Sequence, residues 1–154
     1  MRSRMLSFAV QAVVALALLG SCAAPNRQLY YGTWTNDKSY FQKTVRTPDG
    51  IIQYYYSISD TTPAERERVE IVNCWSDPDG STWFKTKGII SEGPNKNNAP
   101  KVQMLERISK TGNFLEVEVN GVVEFNPKSF PTKIDVSQQK TREHLYRAFY
   151  RAEK

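Results

Sequence analysis

This sequence predicts an all-β fold, an antiparallel barrel or sandwich behind an N-terminal export segment, on two observations. Turn signals rich in Asp, Asn, Pro and Gly interrupt the chain roughly every 8–12 residues. Between them, aromatic and β-branched residues alternate with polar ones at period two, which gives each strand one dry and one wet face.

The chain opens MRSRM, with Arg2 and Arg4 and no acid, then runs apolar from Leu6 to Leu19, broken only by Ser7 and Gln11. A charged start, a short apolar middle and small residues at the end make the secretory-signal pattern. A membrane-spanning helix needs about 20 apolar residues, so this run is too short to be one. It ends Leu19-Gly20-Ser21-Cys22, which resembles the lipobox of bacterial lipoproteins. That resemblance implies residues 1–21 as signal peptide, cleavage after Ser21, acylation on the Cys22 sulfur and attachment to a membrane of the cell envelope. The outer membrane or cell surface is the expected site. Residues 22–28 then form a lipidated tether, and 29–154 the folded domain.

Removing residues 1–21 takes away two arginines and no acid, so the formal charge falls from +5 to +3 and 133 residues remain. That length supports one domain with a real core. The charges are scattered, without a basic stripe, so no nucleic-acid partner is expected. His144 is the sole histidine and Cys22 and Cys74 the sole cysteines. Zinc sites and a Ser-His-Asp triad have little to build on. If Cys22 is lipidated, Cys74 reads as a small buried side chain, and a Cys22–Cys74 disulfide requires that the lipobox go unused.

The strands follow in order. Thr47-Pro48-Asp49-Gly50 separates YFQKTVR from IIQYYYSIS, whose Ile52, Tyr54, Tyr56 and Ile58 share one face. Asp77-Pro78-Asp79-Gly80 separates VEIVNCW from STWFKTKGII, and Val69, Ile71 and Trp75 share a face in the former. Lys110-Thr111-Gly112-Asn113 separates VQMLERIS from FLEVEV, where Leu115, Val117 and Val119 lie opposite water-facing Glu116 and Glu118. Asn120-Gly121 reads as a two-residue hairpin before VVEF. Residues 60–68 and 91–101 read as irregular, the second as a long exposed loop. Near the C terminus, Leu145–Ala152 mixes helical and strand spacing; a closing strand is favoured because a meander otherwise leaves an open edge.

The first strand of the domain begins Tyr30-Tyr31-Gly32-Thr33-Trp34, and its Gly-x-Trp resembles the signature that opens lipocalins and related calycins. From Gly32 onward, GTWTND, TPDG before a tyrosine-rich strand, WSDPDGSTWFK and FP together resemble small lipocalin-like lipoproteins of the kind found in spirochaetes. The lipocalins' Thr-Asp-Tyr-like loop, late in the barrel, is not evident. The resemblance implies an up-and-down barrel of about eight strands with Trp34 across its closed end. An arginine of the last strand, Arg147 or Arg151, would lie over the Trp34 ring.

No phosphate-binding glycine loop is evident, and Asp77 and Asp79 fit a turn better than a calcium loop. An enzyme is therefore not expected, nor a cofactor. Trp34, Trp75, Trp83, Phe41, Tyr54 and Tyr56 are candidates for the interior. The leading expectation is capture of a small, partly apolar ligand, lined by some of Trp34, Tyr54, Tyr56, Ile71, Trp75 and Val117, with loop 91–101 near the mouth. The alternative is a solid barrel that presents loops to envelope components.

Overall fold

Turn chemistry sets where this chain reverses. Gly50 N donates to Thr47 O, Gly80 N to Asp77 O and Gly112 N to Ser109 O, each closing a four-residue turn. These glycines have φ of 82°, 86° and 74°. A Cβ is penalised there, so glycine is the residue these turns need.

The structure is a computed structural model that describes residues 27–97, 100–136 and 144–153, with backbone alone at 144–146. Its strands are β1 (Gly32–Thr35), β2 (Lys43–Arg46), β3 (Ile51–Tyr55), β4 (Glu65–Ser76), β5 (Thr82–Glu92), β6 (Lys101–Ile108), β7 (Phe114–Val122) and β8 (His144–Arg151). Each pairs antiparallel with the next, and β8 returns to β1 through Trp34↔Arg151 and Thr35↔Tyr150. The result is a closed up-and-down barrel of eight strands, and the C-terminal segment is its closing strand. The expected signal peptide, the expected lipobox cysteine Cys22 and most of the expected tether lie outside the described residues.

The three glycine turns and residues 27–31 gather at one end. Loops 36–42 and 56–64, residues 93–97 and the exit of β7 gather at the other, which is the mouth. At the closed end Trp34 is fully buried and the Arg151 guanidinium lies 4.0 Å from its ring centroid. Arg151 also donates to Leu29 O (2.7 Å), Tyr31 O (2.8 Å) and Gly112 O (2.8 Å), tying the entering chain to a turn. Gly32 makes room for it: a Cβ there would sit 2.8 Å from Arg151 Nη1. The Gly-x-Trp spacing thus has a local cause. Arg147 instead lies over Tyr54.

Inside, Trp34, Ile52, Tyr54, Phe84, Met104, Ile108, Leu115, Val117 and Phe149 form the core. Several sequence expectations fail against this frame. β3 ends at Tyr55, so Tyr56 and Ile58 leave its inner face and are 44% and 45% exposed. The register of β4 against β5 shifts between Ile71 and Asn73. That bulge reverses the alternation: Cys74 turns inward and Trp75 outward, where it stacks on Trp83 at 6.0 Å. Trp83 is therefore also outside, its Nε1 donating to Asp77.

Residues 65–68, read as part of an irregular stretch, are strand, and β5 continues to Glu92, with residues 93–97 following as loop. Asn120-Gly121 is not a hairpin. β7 runs through it, paired to β6 as far as Val122↔Lys101, and neither residue has the positive φ that such a turn requires.

Glu116 and Glu118 are not water-facing: the Glu116 side chain is 15% exposed and Glu118 is buried. Residues 125–136 form a strap over the outside of β6 and β7 that accounts for Glu118. Within it, Asn126 and Gln103 exchange hydrogen bonds, Asn120 Nδ2 donates to Ser129 O, and Asp135 N donates to Glu118. Cys74, read as a plain buried thiol, is disulfide-bonded. The sequence's other cysteine, Cys22, is outside the described residues.

Candidate binding site

Strand alternation sends Thr44 and Arg46 of β2, Ile52 and Tyr54 of β3, and Glu65 and Glu67 of β4 into the barrel. From the opposite wall come Thr86 and Gly88 of β5, Val102, Met104 and Glu106 of β6, and Val117 and Val119 of β7. Ionic groups at lumen positions are costly to bury unless partnered.

The partners are present in part. Arg46 Nη2 lies 2.6 Å from Glu106 Oε1, with both side chains buried. Glu106 Oε2 accepts from Thr86 Oγ1 at 2.9 Å. The Arg46 guanidinium also lies 4.4 Å from the Tyr30 ring centroid. Burial works against the Arg46 charge, but Glu106, Tyr30 and Tyr54 together outweigh it and hold the group charged. Next in line toward the mouth, Tyr54 donates to Glu67 Oε2 at 2.6 Å. Arg46 Nε and Nη1, Thr44 Oγ1, Tyr30 Oη and Glu67 Oε1 find no aligned hydrogen-bond partner among the described residues. Buried groups of this kind ordinarily bind water or a ligand.

Burial is the main reason the Glu67 carboxyl is pushed up from 4.5 to about 7; Glu106 adds to it, while the Tyr54 bond and both Arg147 and Arg46 oppose it. Burial likewise raises the Tyr54 and Tyr30 hydroxyls and Glu65. An acid whose folded pKa is raised holds its proton more tightly when folded. The stability it gives is complete below about pH 4.5 and is lost as the pH rises through about 7. The urea midpoint is expected to fall between about pH 5 and about pH 8, less steeply in Glu67→Gln. An equal fall in both proteins would remove Glu67 as its source.

Above Tyr54 the mouth is aromatic. Phe41 packs 5.2 Å from Tyr54 and 5.4 Å from Tyr56, and Tyr40 stands 5.4 Å from Tyr56. Phe41 is buried, whereas Tyr40 is 74% exposed. Asn95, in the loop after β5, reaches the same rim, donating from N and Nδ2 to Glu65 Oε2.

Two cavities lie elsewhere. One of about 280 Å³ opens at the closed end, between residues 27–31, the 47–50 turn and Val69 and Ile71 of β4. The other, about 350 Å³, lies between the strap and Glu118 and Asn120 of β7. Among the described residues, no group of three His, Cys, Asp or Glu side chains is placed to hold a metal ion.

Of the residues expected to line a site, Trp34, Tyr54 and Val117 meet in the core. Ile71 packs at its margin and lines the closed-end cavity, Tyr56 stands at the mouth, and Trp75 is outside. Sequence reasoning missed Arg46, Glu67, Gly88 and Glu106. The signal for Glu106 was present: Val102, Met104 and Ile108 alternate through it, so it had to share their apolar face. No protein-family model, curated protein or solved structure matches this chain.

Proposed function

We propose that the protein is an exported lipoprotein, held to an envelope membrane through Cys22, whose barrel takes a small, partly apolar molecule at its mouth. The observation that carries this is the stacked order of the open end. An aromatic layer of Tyr40, Phe41 and Tyr56 covers Tyr54, beneath which lie buried polar groups without aligned partners. An apolar body would rest on the rings and a polar head would reach the groups below. The lipocalin-like layout of the sequence supports the same reading, as does the closed barrel. No catalytic role is proposed.

Tyrosine and tryptophan emission of the folded domain, titrated with long-chain fatty acids, retinoids and haem-like compounds, is expected to change saturably with one class. Phe41→Ala is expected to weaken that binding about tenfold, a loss of one well-packed ring edge. A flat response to all classes would favour the second reading, a solid barrel that binds envelope proteins. The Arg46–Glu106 pair favours that alternative, because it already crosses the middle of the lumen.

The anchor is tested by expressing the full chain in a bacterium fed a labelled fatty acid. Label is expected on the wild type and absent from Cys22→Ser. The Cys74 disulfide opposes this anchor, because Cys22 is the sequence's other cysteine and one sulfur cannot carry both an acylglycerol and a disulfide; thiol titration of the denatured chain reads which state holds. The lipidated chain gives a titratable thiol and the disulfide-bonded chain gives none. An unlabelled wild type without such a thiol would overturn the anchor.

A further inference from the structure

We propose that residues 22–26 dock across the closed end against the open edge of β4, with the Cys22 sulfur bonded to Cys74, and that this bond must be reduced before Cys22 can take its lipid. The docking goes beyond the function proposed above; only the order of reduction and lipid attachment rests on its anchor.

β4 outruns its neighbour on one side. β3 pairs with it only from Ile51↔Arg68 to Tyr54↔Glu65, whereas β5 follows it to Ser76↔Thr82. Val69 N still donates to Gly50 O, but beyond it the backbone of residues 70–73 is paired, among the described residues, to β5 alone. Such an edge presents N–H and C=O groups that an added extended segment can match. Beside it lies the closed-end cavity of about 280 Å³, whose wall includes Val69, Glu70, Ile71 and Arg27. Val72, on the same stretch, is 47% exposed.

The segment that ends at this cavity is Cys22-Ala23-Ala24-Pro25-Asn26, which runs straight into Arg27. It has no charge and no large side chain. Pro25 holds the residue before it extended, and its missing N–H is tolerated on an edge strand. Five extended residues span at most about 17 Å. From Glu70 to Cys74 is four residues of strand, about 13 Å, so the reach is sufficient. Cys74 is disulfide-bonded, and Cys22 is the other cysteine of the sequence. The Cys74 side chain is buried in the cluster that holds Tyr30, with Leu29 and Tyr31 packed against it, beneath the point where the segment enters.

The bond also decides when the sulfur can react. A disulfide sulfur is not the thiolate that forms a bond to carbon. A dithiol reductant attacks it, passes through a mixed disulfide and leaves as a disulfide itself. Its two electrons and two protons pass to the protein, which gains the Cys22 and Cys74 thiols. The Cys22 thiol can then bond the glyceryl carbon of a phospholipid, its proton leaving with the phosphate headgroup. Cys74 stays behind as a buried thiol.

The first test is made on the full chain synthesised without membranes in a glutathione–glutathione disulfide buffer. It is alkylated, digested without reductant and mapped by mass spectrometry. A peptide pair linked through Cys22 and Cys74 is expected; two alkylated cysteines, or a Cys74–Cys74 pair, overturn the docking. Amide exchange at residues 70–73 is expected to quicken about tenfold after dithiothreitol, the worth of one backbone hydrogen bond. Unchanged exchange overturns the placement on β4. The oxidised chain is then given to bacterial envelope membranes carrying a labelled phospholipid. Label is expected on wild type only with dithiothreitol, and on Cys74→Ser with or without it. Label on oxidised wild type without reductant overturns the order of steps. Label on neither protein under any condition overturns the anchor, and the order with it, while a linked peptide still upholds the docking.

Discussion

Replacing Glu106 with alanine is expected to destabilise the barrel by about 3–5 kcal/mol, because it leaves a buried cation uncompensated. Arg46 and Glu106 are 4% and 0% exposed, and Arg46 Nη2 meets no other acid at ion-pair distance among the described residues. Thr86 Oγ1 would lose its acceptor as well. The double replacement Arg46→Met with Glu106→Leu is expected to behave differently, ranging from neutral to about 1–4 kcal/mol more stable. Urea denaturation of wild type, single and double variants checks both expectations. A single-variant loss below about 1 kcal/mol would mean that Arg46 turns to Glu67, the next acid that faces it. The pair would then be a means of positioning charge rather than of holding the wall together.

Trp34→Ala is expected to cost about 3–5 kcal/mol, the usual range for emptying a large aromatic site in a packed core. Trp34 is fully buried and its ring carries the Arg151 guanidinium. The substitution therefore removes the surface on which Arg151 lies while it ties Leu29, Tyr31 and Gly112 together. Trp34→Phe keeps a ring under the cation and is expected to lose less. Thermal and urea unfolding of the two variants separates packing from the cation–π contact, whose own share is ~0.5–2 kcal/mol. Equal losses in both would assign the effect to the shape of the indole alone.

Much of the architecture was readable because turns and alternation are local. Pro-Asp-Gly turns at 48–50 and 78–80 declare themselves, and Leu115, Val117 and Val119 alternate cleanly into the core. What failed did so where a distant part of the chain decides. Asn120-Gly121 reads as a hairpin until β6 is seen to pair along it. Glu118 reads as wet until residues 125–136 fold over it. A single bulge near Val72 exchanged the fates of Cys74 and Trp75, and no residue type announces where a register will slip. The site was less legible than the fold for the same reason. Glu65-Arg66-Glu67-Arg68 has the look of a solvated charge run, yet period two buries alternate members of it.

The seam between β1 and β8 has a consequence in time rather than in energy. Every other ladder joins strands that follow one another along the chain, so each forms by closing a loop between neighbouring strands. The ring itself shuts through Trp34↔Arg151 and Thr35↔Tyr150, residues from opposite ends of the domain, over two paired positions. Long-range closure is the slow entropic step in β topologies. A ribosome that releases the chain from its N terminus hands over Arg151 after every other strand residue. Until that moment Trp34 has no cation to lie beneath, and the growing sheet keeps two raw edges. The barrel thus becomes a barrel only when its final strand is delivered.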